Sequence, residues 1–289
     1  MEILQQVIQQ FRLNVLSINS VPESYSSTVY KLILNNQQQV FVKIPYSKTK
    51  LMREYEFLQI LQDKLNTPRV LDFWEGNDVI PGALLLEAID GEICTKIIDK
   101  ALAYEIGVNH AKLHSIPATF FEKSETIERY QPEEWRAFIQ HKFEYFSEYA
   151  KAILSKGLFD KSIHYFEKHF YSLPAPDGPC LIHMDFRPGN ILLKDNNVKG
   201  IIDFESARLG STENDFTKIN RDIWCKHLNT KEPYIKGYNS IRPMINLQKI
   251  LPFYTFYDAF CSVGWSEIRG AEKHQEFIKE NLEILKKVL

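Results

Sequence analysis

The chain has 289 residues, 44% hydrophobic and 25% charged, a globular composition with length enough for two lobes and a sizeable core. Its net charge of -2 lacks the basic excess of a nucleic-acid binder. No apolar run approaches the roughly 20 residues of a membrane helix, the start Met1-Glu-Ile-Leu has no basic leader, and Cys94, Cys180, Cys225 and Cys261 are too scattered for a zinc site or disulfide framework, so a cytoplasmic protein with reduced thiols is expected.

Residues 1–13 put Ile3, Leu4, Val7, Ile8 and Phe11 on one face at helical spacing. Residues 28–34 and 40–44 alternate around the polar turn 35–39, the pattern of a hairpin. Lys43 stands among apolar residues in Val40-Phe-Val-Lys-Ile-Pro45, and a buried lysine needs a partner. Glu54 and Glu56 are both candidates, on a helix whose apolar face is Leu51, Tyr55, Leu58 and Leu61. Residues 69–74 and 83–89 read as two more strands, with Pro81-Gly82 turning the chain before the second. Residues 99–115 read as a helix carrying Leu102, Ile106, His110 and Leu113 along one side. His110 and His114 stand one helical turn apart, yet no Glu follows His110 and no third ligand is apparent, so a metal pair is unsupported. Residues 132–173 hold most of the aromatic excess and read as two packed helices interrupted at Gly157; with no basic stripe beside them, they are core rather than a base-stacking surface.

The next stretch, Cys180-Leu-Ile-His183-Met-Asp185-Phe-Arg187-Pro-Gly-Asn190-Ile-Leu-Leu193, reads as strand, polar loop, strand. The turn Asp195-Asn196-Asn197 then leads into 198–202, a hairpin that ends at Asp203. Asp185, Asn190 and Asp203 should therefore lie close together. Such a set suits phosphoryl transfer, which needs an acceptor hydroxyl held in line and cations over the phosphate charge. Asp185 can orient the hydroxyl and take its proton, Asn190 and Asp203 offer the hard oxygens magnesium prefers, and Arg187 is a fixed positive charge within reach of the transferring group.

His-x-Asp-x-Arg-Pro-x-Asn followed by Ile-Asp-Phe resembles the catalytic and metal-binding loops of the kinase-like fold, most nearly those of the aminoglycoside phosphotransferase and choline kinase-like family. The resemblance implies a two-lobed protein-kinase-like α+β fold, with residues 1–90 as the ATP-gripping lobe and 91–289 as a mainly helical catalytic and acceptor-binding lobe. It implies Asp185 as catalytic base, Asn190 and Asp203 as magnesium ligands, and Glu205 as an assistant at the metal. It selects Glu54, in the context Arg-Glu-x-x-x-Leu, as the partner with which Lys43 grips the ATP phosphates. It places a hinge at 84–91, where backbone groups near Glu87 and Ile89 would bind adenine. It also places a phosphate-covering loop at 23–28, where Ser26 and Ser27 can contact phosphate although no glycine precedes Gly76. Asp215 matches a family acid that supports the catalytic loop.

Only 11 residues separate Asp203 from Asp215, and no Ala-Pro-Glu follows. The platform on which protein kinases seat a peptide is missing, which argues for a small-molecule acceptor. Helices are expected at 245–264 and 271–288, and the resemblance implies that this C-terminal part and the 132–173 insertion enclose the acceptor. The expected activity is ATP-dependent transfer of the γ-phosphoryl group to a hydroxyl of an aminoglycoside-type antibiotic or related metabolite, or of choline, homoserine or a sugar. Residues 204–289 carry 11 acidic and 13 basic side chains, no excess that would favour a polycation. A non-catalytic nucleotide-binding scaffold is the alternative; its mark would be loss of Lys43, Asp185, Asn190 or Asp203, and all four are present. Oligomeric state is not legible in the chain.

Overall fold

The computed structural model describes residues 2–21 and 27–289. The chain opens with α1 (Glu2–Gln10), β1 (Val15–Ser20), β2 (Ser27–Leu34), β3 (Gln39–Pro45), α2 (Lys48–Leu61), β4 (Val70–Trp74) and β5 (Ala83–Glu87). The five strands pair antiparallel in the order β1-β2-β3-β5-β4. Strand alternation sorts their side chains to two faces. Val40, Val42 and Leu85 join Leu4, Val7 and Phe11 of the N-terminal segment in one core, while Leu84 and Leu86 join Leu51, Phe57, Leu58 and Leu61 of α2 in the other. Lys43, between Val42 and Ile44 and in register with Leu84, therefore points to the α2 side. The helix α2 starts at Ser47, whose hydroxyl accepts the Lys50 N–H at 3.3 Å.

The remaining chain is mainly helical: β6 (Glu92–Ile93), α3 (Lys100–His114), α4 (Pro132–Ile153), α5 (Lys156–Phe170), β7 (Cys180–Ile182), β8 (Ile191–Lys194), β9 (Asn197–Ile201), β10 (Arg208–Gly210), α6 (Asp215–Ile219), α7 (Lys231–Asn239), α8 (Leu247–Ile268) and α9 (Gln275–Val288). The helix α8 is apolar on nearly every side and forms the centre, as an all-round hydrophobic helix must. Phe143 of α4 stacks on Phe166 of α5 at 3.8 Å and on Phe260 of α8 at 4.5 Å between ring centroids. Most of the aromatic stretch is thus core, with Tyr145 and Tyr171 left exposed. Two small sheets, β6-β8-β9 and β10-β7, accompany these helices. The β8–β9 turn runs through Asp195 and Asn196 at φ 52° and 61°, the left-handed geometry a tight hairpin demands.

The elements depart from the sequence expectation in a few places. The strand β1 was not foreseen, because Val-Leu-Ser-Ile-Asn-Ser is short and half exposed. The expected strand 83–89 stops at Glu87. The expected break at 265 falls later, because α8 continues to Ile268 and ends before Gly270, whose φ of 93° suits glycine. The helix α7 was also missed; it packs on α3 where two glycines, Gly107 and Gly237, let the backbones approach. Among the described residues, no helix is long and apolar enough to cross a membrane.

Candidate active site

The hairpin β8–β9 and strand β7 bring the loop residues together. The Ile202 N–H donates to the Asn190 carbonyl at 3.0 Å, and His183 Nε2 meets the Ile202 carbonyl at 3.0 Å. The loop of residues 183–190 and the residues at 203–205 are therefore joined by backbone. Asn190 Nδ2 donates to both the carbonyl and the Oδ2 of Asp185, at 2.9 and 3.0 Å. Arg187 Nε donates to the same Oδ2 at 2.9 Å. Arg187 is thus engaged with Asp185, and both side chains remain about one-third exposed, open to a ligand.

Two residues of this loop region have left-handed backbones, Met184 at φ 69° and Asp203 at φ 72°, a conformation that costs a non-glycine residue energy unless its surroundings hold it. Asp215 holds the first. Its carboxylate accepts the N–H groups of His183 and Met184, each at 2.7 Å. Its Oδ2 also accepts from His110 Nε2 at 3.3 Å and His114 Nε2 at 3.2 Å. The far nitrogens of the two imidazoles face the hydroxyls of Tyr234 and of Tyr238, the latter at 2.8 Å. Burial pushes His110 down to about 3 and lowers His114 as well, so both rings are neutral and each Nε2–H donates. The third group near the histidine pair, which spacing along α3 does not reveal, is this Asp215. The set is closed by hydrogen bonds and buried, and it serves the loop.

Lys43 meets Glu54 Oε2 at 2.6 Å and Asp203 Oδ1 at 2.6 Å, with Glu205 Oε2 at 3.4 Å. Burial alone would favour the neutral amine, but Asp203, Glu54 and Glu205 together outweigh it, and the pKa of Lys43 lies above its usual value. Of the two acids open in the sequence, Glu54 makes the pair; Glu56 instead accepts from the Ser124 hydroxyl. The second oxygen of Glu54 accepts the Phe204 N–H at 3.3 Å. Burial pushes Glu54 up to about 7 against the pull of Lys43. One ammonium is being shared by three carboxylates whose oxygens lie within 4.8 Å of one another. Lys50, one turn before Glu54, supplies a second cation through its 2.8 Å pair with Glu205; a helix lysine outside any motif carries no signal in the sequence.

The other expected residues lie apart from this cluster. Ser27 begins β2, buried and opposite Pro45. Ser26 lies outside the described residues. The Glu87 N–H is taken by the Arg69 carbonyl at 2.9 Å. Ile89 follows β5 and packs on Gly200, where a Cβ would come within 2.5 Å of its Cδ1. That contact brings the segment after β5 against β9.

The sequence matches the family described as "Phosphotransferase enzyme family" over residues 17–244. No curated protein sequence matches it. Among solved structures, the GDP and kanamycin complex of APH(2")-IIia superposes with a TM-score of 0.78 at 18% identity, covering 99% of this chain and 98% of that one. The GDP complex of aminoglycoside 2'-phosphotransferase-IIIa gives 0.75 at 18% identity, covering 99% and 97%. The macrolide 2'-phosphotransferase MphH from Brachybacterium faecium gives 0.70 at 13%, covering 98% and 97%. The fold is theirs, the two-lobed protein-kinase-like α+β arrangement.

Proposed function

Because the chain belongs to the phosphotransferase enzyme family and is an enzyme of the small-molecule kinase type, we propose that it moves the γ-phosphoryl group of ATP to a hydroxyl of a small molecule. The observation that carries this reading is Lys43 shared among Glu54, Asp203 and Glu205 beside an open Asp185. Lys43, steadied by Glu54, grips the phosphates. Asp185 aims the acceptor hydroxyl and takes its proton, a role worth about 10²–10⁴-fold in rate. Asn190 sets Asp185 by its two hydrogen bonds, and Arg187 can turn from Asp185 to the transferring group. Residues 1–90 act as the nucleotide-gripping lobe and 91–289 as the catalytic and acceptor-binding lobe, with backbone groups near Glu87 and Ile89 against the base and Ser26 and Ser27 over the phosphates.

The donor set fits magnesium. Three carboxylates face two ammonium groups, and among the described residues the buried Glu205 Oε2 accepts no hydrogen bond, the Lys43 ammonium standing 3.4 Å away. Asp203 and Asn190 would hold the ion with help from Glu205; when bound it neutralises phosphate charge. GTP is a second donor to test, because two of the similar structures are GDP complexes. Their names point to aminoglycoside and macrolide acceptors.

The test is a magnesium-dependent screen of ATP and GTP consumption across aminoglycosides, macrolides, choline, homoserine and sugars, with Asp185→Ala as control. An acceptor that stimulates turnover in the parent and not in the variant is the expected result. Nucleotide binding without turnover on any acceptor would favour the scaffold reading, and Asp185→Ala at parental rate would overturn the mechanism.

A further inference from the structure

A carboxylate behind the site ties α2 to the strand that follows Glu205. Glu128 lies in the stretch before α4, which runs beside β10. The Leu209 N–H donates to the Glu128 carbonyl at 2.9 Å, the Tyr130 N–H donates to the Leu209 carbonyl at 2.9 Å, and Arg129 bridges Leu209 in parallel. The backbone at Glu128 is thereby fixed to β10. Its side chain spends both oxygens on guanidinium groups from two different elements. Oε1 accepts from Arg53 Nη2 at 2.5 Å, and Oε2 accepts from Arg208 Nη1 at 2.7 Å and from the Tyr130 hydroxyl at 3.0 Å.

Both arginines are placed where their movement matters. Arg53 directly precedes Glu54 in α2, and its Nη1 reaches the Glu205 carbonyl at 3.4 Å. Arg208 stands three residues after Glu205 and bonds the Ser206 carbonyl at 3.4 Å. Each guanidinium is buried, at 6% residue exposure. Lys142 of α4 adds a third positive charge nearby, sitting over the Phe138 and Phe146 rings. Without Glu128, two buried guanidinium groups would face each other with no paired carboxylate among the described residues. Separation of α2 from the 203–208 segment is the simplest relief, and that movement would pull Glu54 off Lys43 and off the Phe204 N–H. The carboxylate of Glu128 is held below the usual range: burial opposes this, and Arg208 and Arg53 overcome it.

We propose that Glu128 is a positioning residue that clamps Arg53 of α2 to Arg208 of β10, and so sets the distance between the Lys43–Glu54 pair and Asp203 and Glu205. It touches neither phosphate nor acceptor. Its kinetic consequence rests on the phosphotransfer reading; its structural consequence does not. The test is Glu128→Gln, which keeps shape and removes the charge. Two readouts are taken: hydrogen exchange over residues 48–61, and the steady-state constants with the nucleotide and the acceptor varied separately. Faster exchange over 48–61 is expected, with a roughly tenfold rise in nucleotide KM and an acceptor KM at the parental value. A rise in both KM values together would mark a general loss of structure and overturn the role, as would parental exchange or a parental nucleotide KM. Should Glu128→Gln fail to fold, Glu128→Asp, which keeps the charge and shortens the reach, is judged by the same readouts. If the parent itself binds no nucleotide, the phosphotransfer reading fails, and the exchange measurement alone decides the clamp.

Discussion

Asp215→Asn tests how the buried acid controls the loop in front of it. In the native protein Oδ1 accepts the Met184 N–H, and Oδ2 accepts the His183 N–H and both imidazole Nε2–H groups. An amide has one acceptor where the carboxylate has two. Seating its oxygen at Oδ2 keeps three bonds, now without the negative charge, and puts an NH2 against the Met184 N–H. A hydrogen bond to a charged group contributes roughly 1.5–3 kcal/mol, and an orphaned buried donor costs about 1–3 kcal/mol. The loss should therefore be about 3 kcal/mol. It falls on Met184, whose left-handed backbone at φ 69° carries on the order of 1–3 kcal/mol of strain and which directly precedes Asp185. The variant should fold with a lower urea midpoint, and its kcat should fall roughly 100-fold, because Asp185 no longer sits in line. Its nucleotide KM should stay near the parental value, since Lys43 and Glu54 make no contact with Asp215. A variant with the parental midpoint and kcat would refute the reasoning, and a variant that lost nucleotide affinity alone would place the coupling elsewhere.

Acidification should destabilise the protein through the same cluster. His110 and His114 are lowered by burial, and Asp215 is lowered because the imidazole donors outweigh its burial. All three folded values are depressed, so the unfolded chain binds more protons. Stability is present above the usual histidine value of 6.5 and lost as pH falls toward about 3. Between pH 7 and pH 5, His110 alone should cost about 2 kcal/mol, read as a drop in melting midpoint; a flat midpoint would contradict the neutral, buried assignment. Lys43→Met removes the ammonium from among Glu54, Asp203 and Glu205, and breaking a buried pair costs roughly 3–5 kcal/mol. Lower thermal stability and loss of nucleotide binding by calorimetry are expected, and parental binding would show that Lys43 does not grip the phosphates. Gly107→Ala would put a Cβ 2.2 Å from the Tyr234 carbonyl at the α3–α7 contact, so a loss of about 2 kcal/mol or more in urea unfolding is expected, and a neutral effect would mean that the two helices can part freely.

Much of the candidate site could be read from the chain because its signals are local. Asp185, Arg187 and Asn190 fall within one loop between two apolar runs, and Asp203 ends the hairpin that follows, so chain geometry alone brings them together. The same holds for the β2–β3 hairpin and for Lys43 on the α2 side of its strand, where alternation with a period of two decides the face. The choice of Glu54 over Glu56 as the partner of Lys43 came from the resemblance, through the context Arg-Glu-x-x-x-Leu, and the packing of α2 agrees with it, setting Glu54 on Lys43 and Glu56 on the Ser124 hydroxyl. Lys50 at Glu205, Asp215 between two histidines, and Glu128 between two arginines were decided by tertiary structure alone. Each joins residues far apart in sequence, with no spacing to mark them. Their cause is electrostatic: a buried charge must meet a counter-charge, or enough hydrogen-bond donors as at Asp215, wherever the fold can supply them, and the sequence records these groups without recording which of them become neighbours.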